Sequence, residues 1–457
     1  MNHVGFVKIA KYLGLILLLA GLGLTGCKSE NRSGSVDVSK QSAKTIKTRD
    51  VLAEAREIVE HDPDNMSGWI RLGTQLRRMG KLDQAEEADR KVLALAEAYE
   101  DKEWQARSLG KLAMISQTRG DLDKAEERHR KSLAISEASD DLKDITADQY
   151  LNLGNVYRTR GELNRAEEMY WKALELYLAL GSKGTPAAIY MNLGITHYRR
   201  GELDKAEEMY RKALLLYKAL GSKDGKANGY TNMGVLYENR GELDRAEEMY
   251  RKALEVYKAL DSKEGMAAIY GNLGLVYVAY GELDKAEDMY RKSLDISEAA
   301  GLKKFSANQY ANLGVMYQKR GELDKAEDTH WKALELHQTL GSRGGIAEDY
   351  GNLGGVYQKR GELDRAEEMY RKSLEISEAL GLKEFMAERY DNLGSLYKMR
   401  GNLDQAEELW KKSLSLYQEM GHRKAKEVQQ ALDELDKSKR EREAKKAARE
   451  KGRAASQ

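Results

Sequence analysis

Residues 147–181 read ADQYLNLGNVYRTRGELNRAEEMYWKALELYLALG, and this stretch returns with small changes along most of the 457-residue chain. The glycine of its RGEL turn recurs as Gly80, Gly120, Gly161, Gly201, Gly241, Gly281, Gly321, Gly361 and Gly401, nine copies spaced by 40 residues with a single step of 41. A fixed period of this length marks a solenoid, in which one small unit cannot bury its apolar face alone and stacks on the next.

Each unit reads as a helical hairpin. Before the turn glycine, Tyr150, Leu153, Gly154 and Tyr157 share one helix face; after it, Leu163, Ala166, Tyr170, Ala173, Leu174 and Tyr177 do the same. A glycine at the place of Gly154 stands in eight of the nine copies. Inside a helix it costs about 0.5–1 kcal/mol relative to alanine, so the expectation is that Gly154 and Ala166 let the two backbones approach closely. With 26 Tyr and three Phe, tyrosine makes the core. Glu207 and Glu208 precede Arg211 and Lys212 by four residues, a spacing that favours a helix and reads as a solvated outer face.

The order aromatic, Leu-Gly, Tyr, turn Gly, Ala, Tyr, then Ala or Ser resembles the tetratricopeptide repeat across residues 66–421. That resemblance implies an all-α chain, a right-handed α-solenoid of nine hairpins. One feature departs from the family: the proline that closes a 34-residue unit is missing, and the second helix runs on to Gly181, Gly221, Gly301, Gly341, Gly381 or Gly421. Units of 40 residues that open NLG and close LGSK or LGLK are similar in geometry to those of Pins-type scaffolds, although no G-protein-binding segment stands in this chain.

The flanks read differently. In residues 1–26, Lys8 and Lys11 precede an apolar run from Tyr12 to Leu24, shorter than the roughly 20 residues that span a bilayer; the expectation is an export signal. Leu24-Thr25-Gly26-Cys27 resembles the bacterial lipobox, which implies cleavage before Cys27 and lipidation of this single cysteine. By the same resemblance, Lys28 in place of Asp implies an outer-membrane lipoprotein facing the periplasm if the host is Gram-negative. Residues 27–49 form a polar tether, and residues 50–62 a capping helix that ends before Pro63. Residues 422–457 give a last amphipathic helix and a charged tail, read as a solvated helix or as a contact with anionic lipid. The first two hairpins diverge, with Asp89 and His129 where later copies have Tyr170 or Tyr210. From residue 148 to 420 the copies are near-identical, through recent duplication or because all interfaces must match.

Function is sought on the first helix. At 3.6 residues per turn, Asn152 points away from its own hairpin core, and the column continues as Asn192, Asn232, Asn272, Asn312, Asn352 and Asn392, with Arg71 and Lys111 in the divergent copies. In tetratricopeptide arrays this helix lines the concave groove. An amide offers a donor and an acceptor to an extended peptide backbone without reading its sequence. Selectivity would come from varied neighbours: Asn155 and Arg158 in one copy, Glu238 in another, Lys359 in a third. The alternative is that the asparagines bridge neighbouring repeats.

No enzyme is expected. HExxH, GxSxG, Walker-type loops and CxxC are absent; His129, His197 and His330 fall in core columns, and His330 and His337 lack a third partner at metal spacing. No cofactor, metal or small-molecule substrate is therefore invoked. The 76 basic and 75 acidic residues give no field for nucleic acid. The sequence reading is a membrane-anchored scaffold holding an extended peptide of a partner in envelope assembly or signalling, or else a structural spacer in a larger envelope complex.

Overall fold

A computed structural model of the chain describes residues 51–182 and 184–454, and every regular element in them is helical. Cys27, the export signal and the tether lie outside the described residues. The chain divides at Leu260 and Asp261 into two compact units. The first holds α1 (51–61) and five hairpins: α2 (Met66–Arg78) with α3 (Leu82–Ala98), α4 (Lys102–Thr118) with α5 (Leu122–Ser136), α6 (Lys143–Arg160) with α7 (Leu163–Ala179), α8 (Thr185–Arg199) with α9 (Leu203–Ala219), and α10 (Lys223–Arg240) with α11 (Leu243–Ala259). The second holds four hairpins: α12 (Lys263–Tyr280) with α13 (Leu283–Ala299), α14 (Lys303–Arg320) with α15 (Leu323–Thr339), α16 (Arg343–Arg360) with α17 (Leu363–Leu380), and α18 (Lys383–Met399) with α19 (Leu403–Glu419), followed by α20 (Lys424–Ala454).

The turn glycines all adopt positive φ, from 71° at Gly80 to 82° at Gly161, a conformation closed to most side chains, and Gly161 caps α6 in it. Within each hairpin the space left by the mid-helix glycine is filled by a ring. A Cβ on Gly234 would stand 2.5 Å from the Tyr250 ring, and one on Gly274 would overlap that of Tyr290. This corrects the expectation that the glycine brings two backbones together: it seats the aromatic of the second helix flat on the first. His330 occupies the same seat over Gly314, and Trp410 that over Gly394.

The outer face also needs correction. Glu207 is 8 % exposed. Its carboxylate accepts from Tyr237 Oη at 2.7 Å and Arg245 Nη2 at 3.0 Å in the next hairpin, and is paired with Arg240, whose other arm holds Asp204 at 2.5 Å. Glu126, Glu287, Glu327 and Glu367 repeat the arrangement with Tyr157 and Arg160, Tyr317 and Arg320, Tyr357 and Arg360, and Tyr397 and Arg400. The first acid keeps its pair along its own helix as well, Glu207 with Arg211 at 2.6 Å, whereas the second, such as Glu208 with Lys212 at 2.7 Å, makes only the solvated pair.

The seams are further matched in size. Gln149 lies over Gly110, Leu214 over Gly229, Gln309 over Gly271 and Arg389 over Gly351, each side chain occupying the place a Cβ would take. At the ends of the chain, α1 lays Leu52, Ala55 and Val59 on Leu72 and Leu76, while Val428, Leu432 and Leu435 of α20 pack with Trp410 and Tyr417.

The clamp carboxylates make stability pH-dependent. Burial alone would raise Glu86, Glu126, Glu287 and Glu367, but hydrogen bonds from arginine, joined by tyrosine at the last three, outweigh it and hold each at about 2. A carboxyl depressed in the folded state contributes stability above its unfolded pKa and loses it as pH falls towards the folded value. The clamps' share of the stability is expected to hold from pH 7 to 5 and to be lost between about 4.5 and 2, and acid titrations of the parent and of Glu126→Ala followed by circular dichroism check this by their difference.

Candidate functional site

Within each unit, first helices of successive hairpins touch one another: α4 with α6 and α8 with α10 in residues 51–260, then α12 with α14, α14 with α16 and α16 with α18 in residues 261–454. First helices thus form one wall of each stack, and the asparagine column runs along it. Six of the seven asparagines are half-buried, while Asn272 is buried at 7 % exposure.

Their amides are not equivalent. Asn192 Nδ2 reaches Asn155 Oδ1 of the preceding hairpin at 3.4 Å, and Asn232 Nδ2 reaches Met191 Sδ at 3.1 Å. Those two bridge repeats, as the alternative reading had it. Asn272 and Asn352 each carry a buried Nδ2 with no hydrogen-bond partner among the described residues. Asn152, Asn312 and Asn392 make no side-chain hydrogen bond among the described residues.

Two of the proposed selectivity residues are not surface residues. Arg158 is 8 % exposed and Glu238 is 6 % exposed. Arg158 Nε donates to Tyr170 Oη at 3.1 Å, and Tyr250 Oη donates to Glu238 Oε2 at 2.9 Å. The same position supplies Gln358, which accepts from Tyr370 Oη at 2.6 Å, and Arg77, which pairs with Asp89. It therefore serves the buried polar atom of its own hairpin, since a buried hydroxyl without a partner is costly. Asn155 Oδ1 also accepts from Tyr170 Oη, at 2.8 Å. Lys359 is exposed, and its Nζ donates to the Gln318 carbonyl at 3.1 Å.

Neighbours of the asparagine column complete the wall. In residues 51–260, half-buried Ile195 and Val235 stand three residues beyond Asn192 and Asn232, and Arg199 is exposed at the end of α8. In residues 261–454, Leu275 and Val315 hold the equivalent places, followed by Gly355 and Ser395. Here the wall is acidic at one edge: Arg389 Nη2 binds Glu388 at 2.8 Å, and burial, with Asp349 and Glu388 close by, pushes the half-buried Glu348 up to about 8. The signal in the sequence was the apolar run at one column in four consecutive copies.

Three histidines are engaged inside the fold. His129 Nδ1 bonds Gln149 at 2.8 Å, His330 Nε2 bonds Gln318 at 3.1 Å, and His337 Nδ1 bonds Asp349 at 2.6 Å. Burial lowers His129 to about 4 and His330 to about 3, so both are neutral. Each wall thus offers amides, apolar side chains and a few charges, the chemistry of recognition along an extended chain.

Two family models match the chain. One, described as Tetratricopeptide repeat, matches residues 64–138, 145–219 and 185–259, and the other, described as MalT-like TPR region, matches residues 234–419. Among solved structures, the apo form of the quorum sensor NprR from B. thuringiensis is similar at 14 % identity and a TM-score of 0.58, covering 79 % of this chain and 99 % of that one. Aspartyl phosphate phosphatase F from Bacillus subtilis is similar at 15 % identity and a TM-score of 0.54, covering 78 % and 94 %. A signal-transduction ATPase with a tetratricopeptide repeat sensor from Pyrococcus horikoshii is similar at 15 % identity and a TM-score of 0.57, covering 82 % and 54 %. At these identities the likeness is one of fold alone. No curated protein matches the chain.

Proposed function

Since the chain belongs to the tetratricopeptide repeat family, we propose that it is a protein-interaction scaffold that holds an extended segment of a partner along the wall of first helices. The observation that carries this reading is the unmatched amide column. Asn152, Asn312 and Asn392 are half-buried and make no side-chain hydrogen bond among the described residues, which leaves their donors and acceptors for the backbone of a strand-like guest. Half-buried Ile195 and Val235 in one unit, and Leu275 and Val315 in the other, stand beside the column for the apolar side chains of the guest.

Anchoring through a lipid on Cys27 would hold this scaffold at a membrane, in the outer membrane of a Gram-negative host, with residues 28–49 giving it reach. No helix among the described residues is long and apolar enough to cross a bilayer. Envelope assembly or signalling is the role this suits. The spacer reading keeps one observation of its own, the bridging by Asn192 and Asn232.

Replacing Asn312, Asn352 and Asn392 together with alanine separates the two readings. The expected result is that immobilised full-length protein loses its partner from envelope extract while its melting temperature stays within about 2 °C, because no side-chain hydrogen bond within the protein is removed. Undiminished partner capture by the triple variant would refute the groove reading.

A further inference from the structure

We propose that the part of α20 that runs past the stack, residues 440–454, lays a basic stripe on the headgroups of an anionic phospholipid surface; the choice of surface rests on the reading that holds the chain at a membrane. α20 starts as a cap. Val428, Leu432 and Leu435 pack with Trp410 and Tyr417 of α19. Lys439 then pairs with Asp404 at 2.5 Å and Glu407 at 2.6 Å, as Arg400 does with Asp364 and Glu367 one hairpin earlier. Asp404 stands next to Leu403, where α19 begins, and the two helices run in opposite directions, since Lys424 lies over the Tyr417 ring at the other end. From residue 440 onward α20 has therefore passed the end of the helix it covers. It continues unbroken to Ala454, a further stretch of about 22 Å at the rise of a helix.

The helix turns the charged tail into a one-sided surface. The seam residues Val428, Leu432, Leu435 and Lys439 are spaced by four, three and four, and the same spacing carries on through Arg442, Lys446, Arg449 and Arg453, with Lys445 beside them. At 3.6 residues per turn the last five positions fall within about 100° of one another. Glu441, Glu443 and Glu450 come at the two edges of that arc, and Ala444, Ala447 and Ala448 behind it, together with Arg440 and Lys451. A face that is apolar where it meets α19 thus becomes cationic where it leaves the stack, beginning with the exposed Arg442. Composition then points to the partner. After Leu435 no apolar residue is larger than alanine, and residues 424–457 hold no aromatic side chain. A protein partner would find no anchor to enclose, bases no ring to stack on, and acyl chains nothing to take in. What is left is charge along a narrow face, which suits a plane of phosphodiester anions. A guanidinium meets a phosphate through two hydrogen bonds, and every cation held near such a surface adds to the attraction.

The test is co-sedimentation of the chain from residue 28 onward with phospholipid vesicles, a form that keeps every described element and begins after Cys27. Vesicles of phosphatidylcholine alone are compared with vesicles holding about 30 % phosphatidylglycerol, at about 0.15 M salt. Binding at least about tenfold tighter to the anionic vesicles supports the stripe. Two double variants change the net charge equally: Lys446→Glu with Arg449→Glu on the stripe, and Arg440→Glu with Lys451→Glu behind it. The first pair should weaken binding at least about tenfold and the second less than about threefold, because charges on the far side stand about one screening length further from the headgroups. Lys446→Gln with Arg449→Gln, which adds no repulsion and keeps good helix formers, should fall between the parent and the first pair. No preference for anionic vesicles, equal losses from the two charge-reversed pairs, or a neutral pair that binds like the parent would overturn the proposal. Capture by a DNA oligonucleotide or by polyglutamate without capture by the anionic vesicles would overturn it as well. Because the tested chain carries no Cys27, such a failure leaves the lipid anchor to be judged on its own by palmitate labelling, and the groove reading stands.

Discussion

Glu207→Ala is expected to cost about 3–5 kcal/mol, the range for removing one side of a buried ion pair. The carboxylate joins two hairpins: it sits on α9 and receives Tyr237, Arg240 and Arg245 from α10 and α11. Its loss leaves Arg240, whose side chain is 15 % exposed, with Asp204 and a long contact to Glu242, and takes the acceptor from the Tyr237 hydroxyl. Glu208→Ala, one residue on, removes only an exposed pair with Lys212 and should leave the unfolding midpoint nearly unchanged. In a linear array the stability is a sum of units and nearest-neighbour interfaces. Urea unfolding of Glu207→Ala should therefore broaden or split, as the hairpins on either side of the weakened seam uncouple. A midpoint equal to that of Glu208→Ala would mean that Glu207 is solvated like its neighbour.

The second large effect is expected at the ring seat of the fifth hairpin. Gly234→Ala places a methyl 2.5 Å from the Tyr250 ring, and overpacking of this kind costs about 1–3 kcal/mol, more than the 0.5–1 kcal/mol that alanine returns to a helix. Tyr250→Ala empties the seat and removes the donor to Glu238, at about 3–5 kcal/mol. The double variant should be more stable than the sum of the two single losses predicts, because without the ring the methyl meets nothing. Strict additivity in this cycle would place the ring elsewhere.

The period, the hairpin and its two core faces were legible from residues 147–181 alone, since turn glycine and helical spacing recur in every copy. The roles of Glu207 and Arg158 were not. Helical spacing pairs Glu207 with Arg211 and Glu208 with Lys212 alike, and only stacking reveals that the first acid faces the next hairpin. The trace of that contact lies 33 residues on, at Arg240, beyond any single helix. Arg158 and Glu238 were assigned to the surface by angle around one helix. The second helix covers them instead, as the pairs Arg158 with Tyr170, Glu238 with Tyr250 and Gln358 with Tyr370, each 12 residues apart, record in the sequence itself. The asparagine column lies along the first helices, and its members differ because Asn192 meets Asn155 and Asn232 meets Met191 of the preceding hairpin while others meet no such partner among the described residues.

The most direct test of a partner held on the first helices is site-specific photocrosslinking in living cells. A photoreactive side chain is placed at Val235, half-buried on that wall, or at Leu215, 69 % exposed on a second helix. Crosslinks from position 235 to one extended segment of one envelope protein, with none from position 215, are the predicted result. Crosslinks from position 215 alone, to whatever protein, would contradict the account.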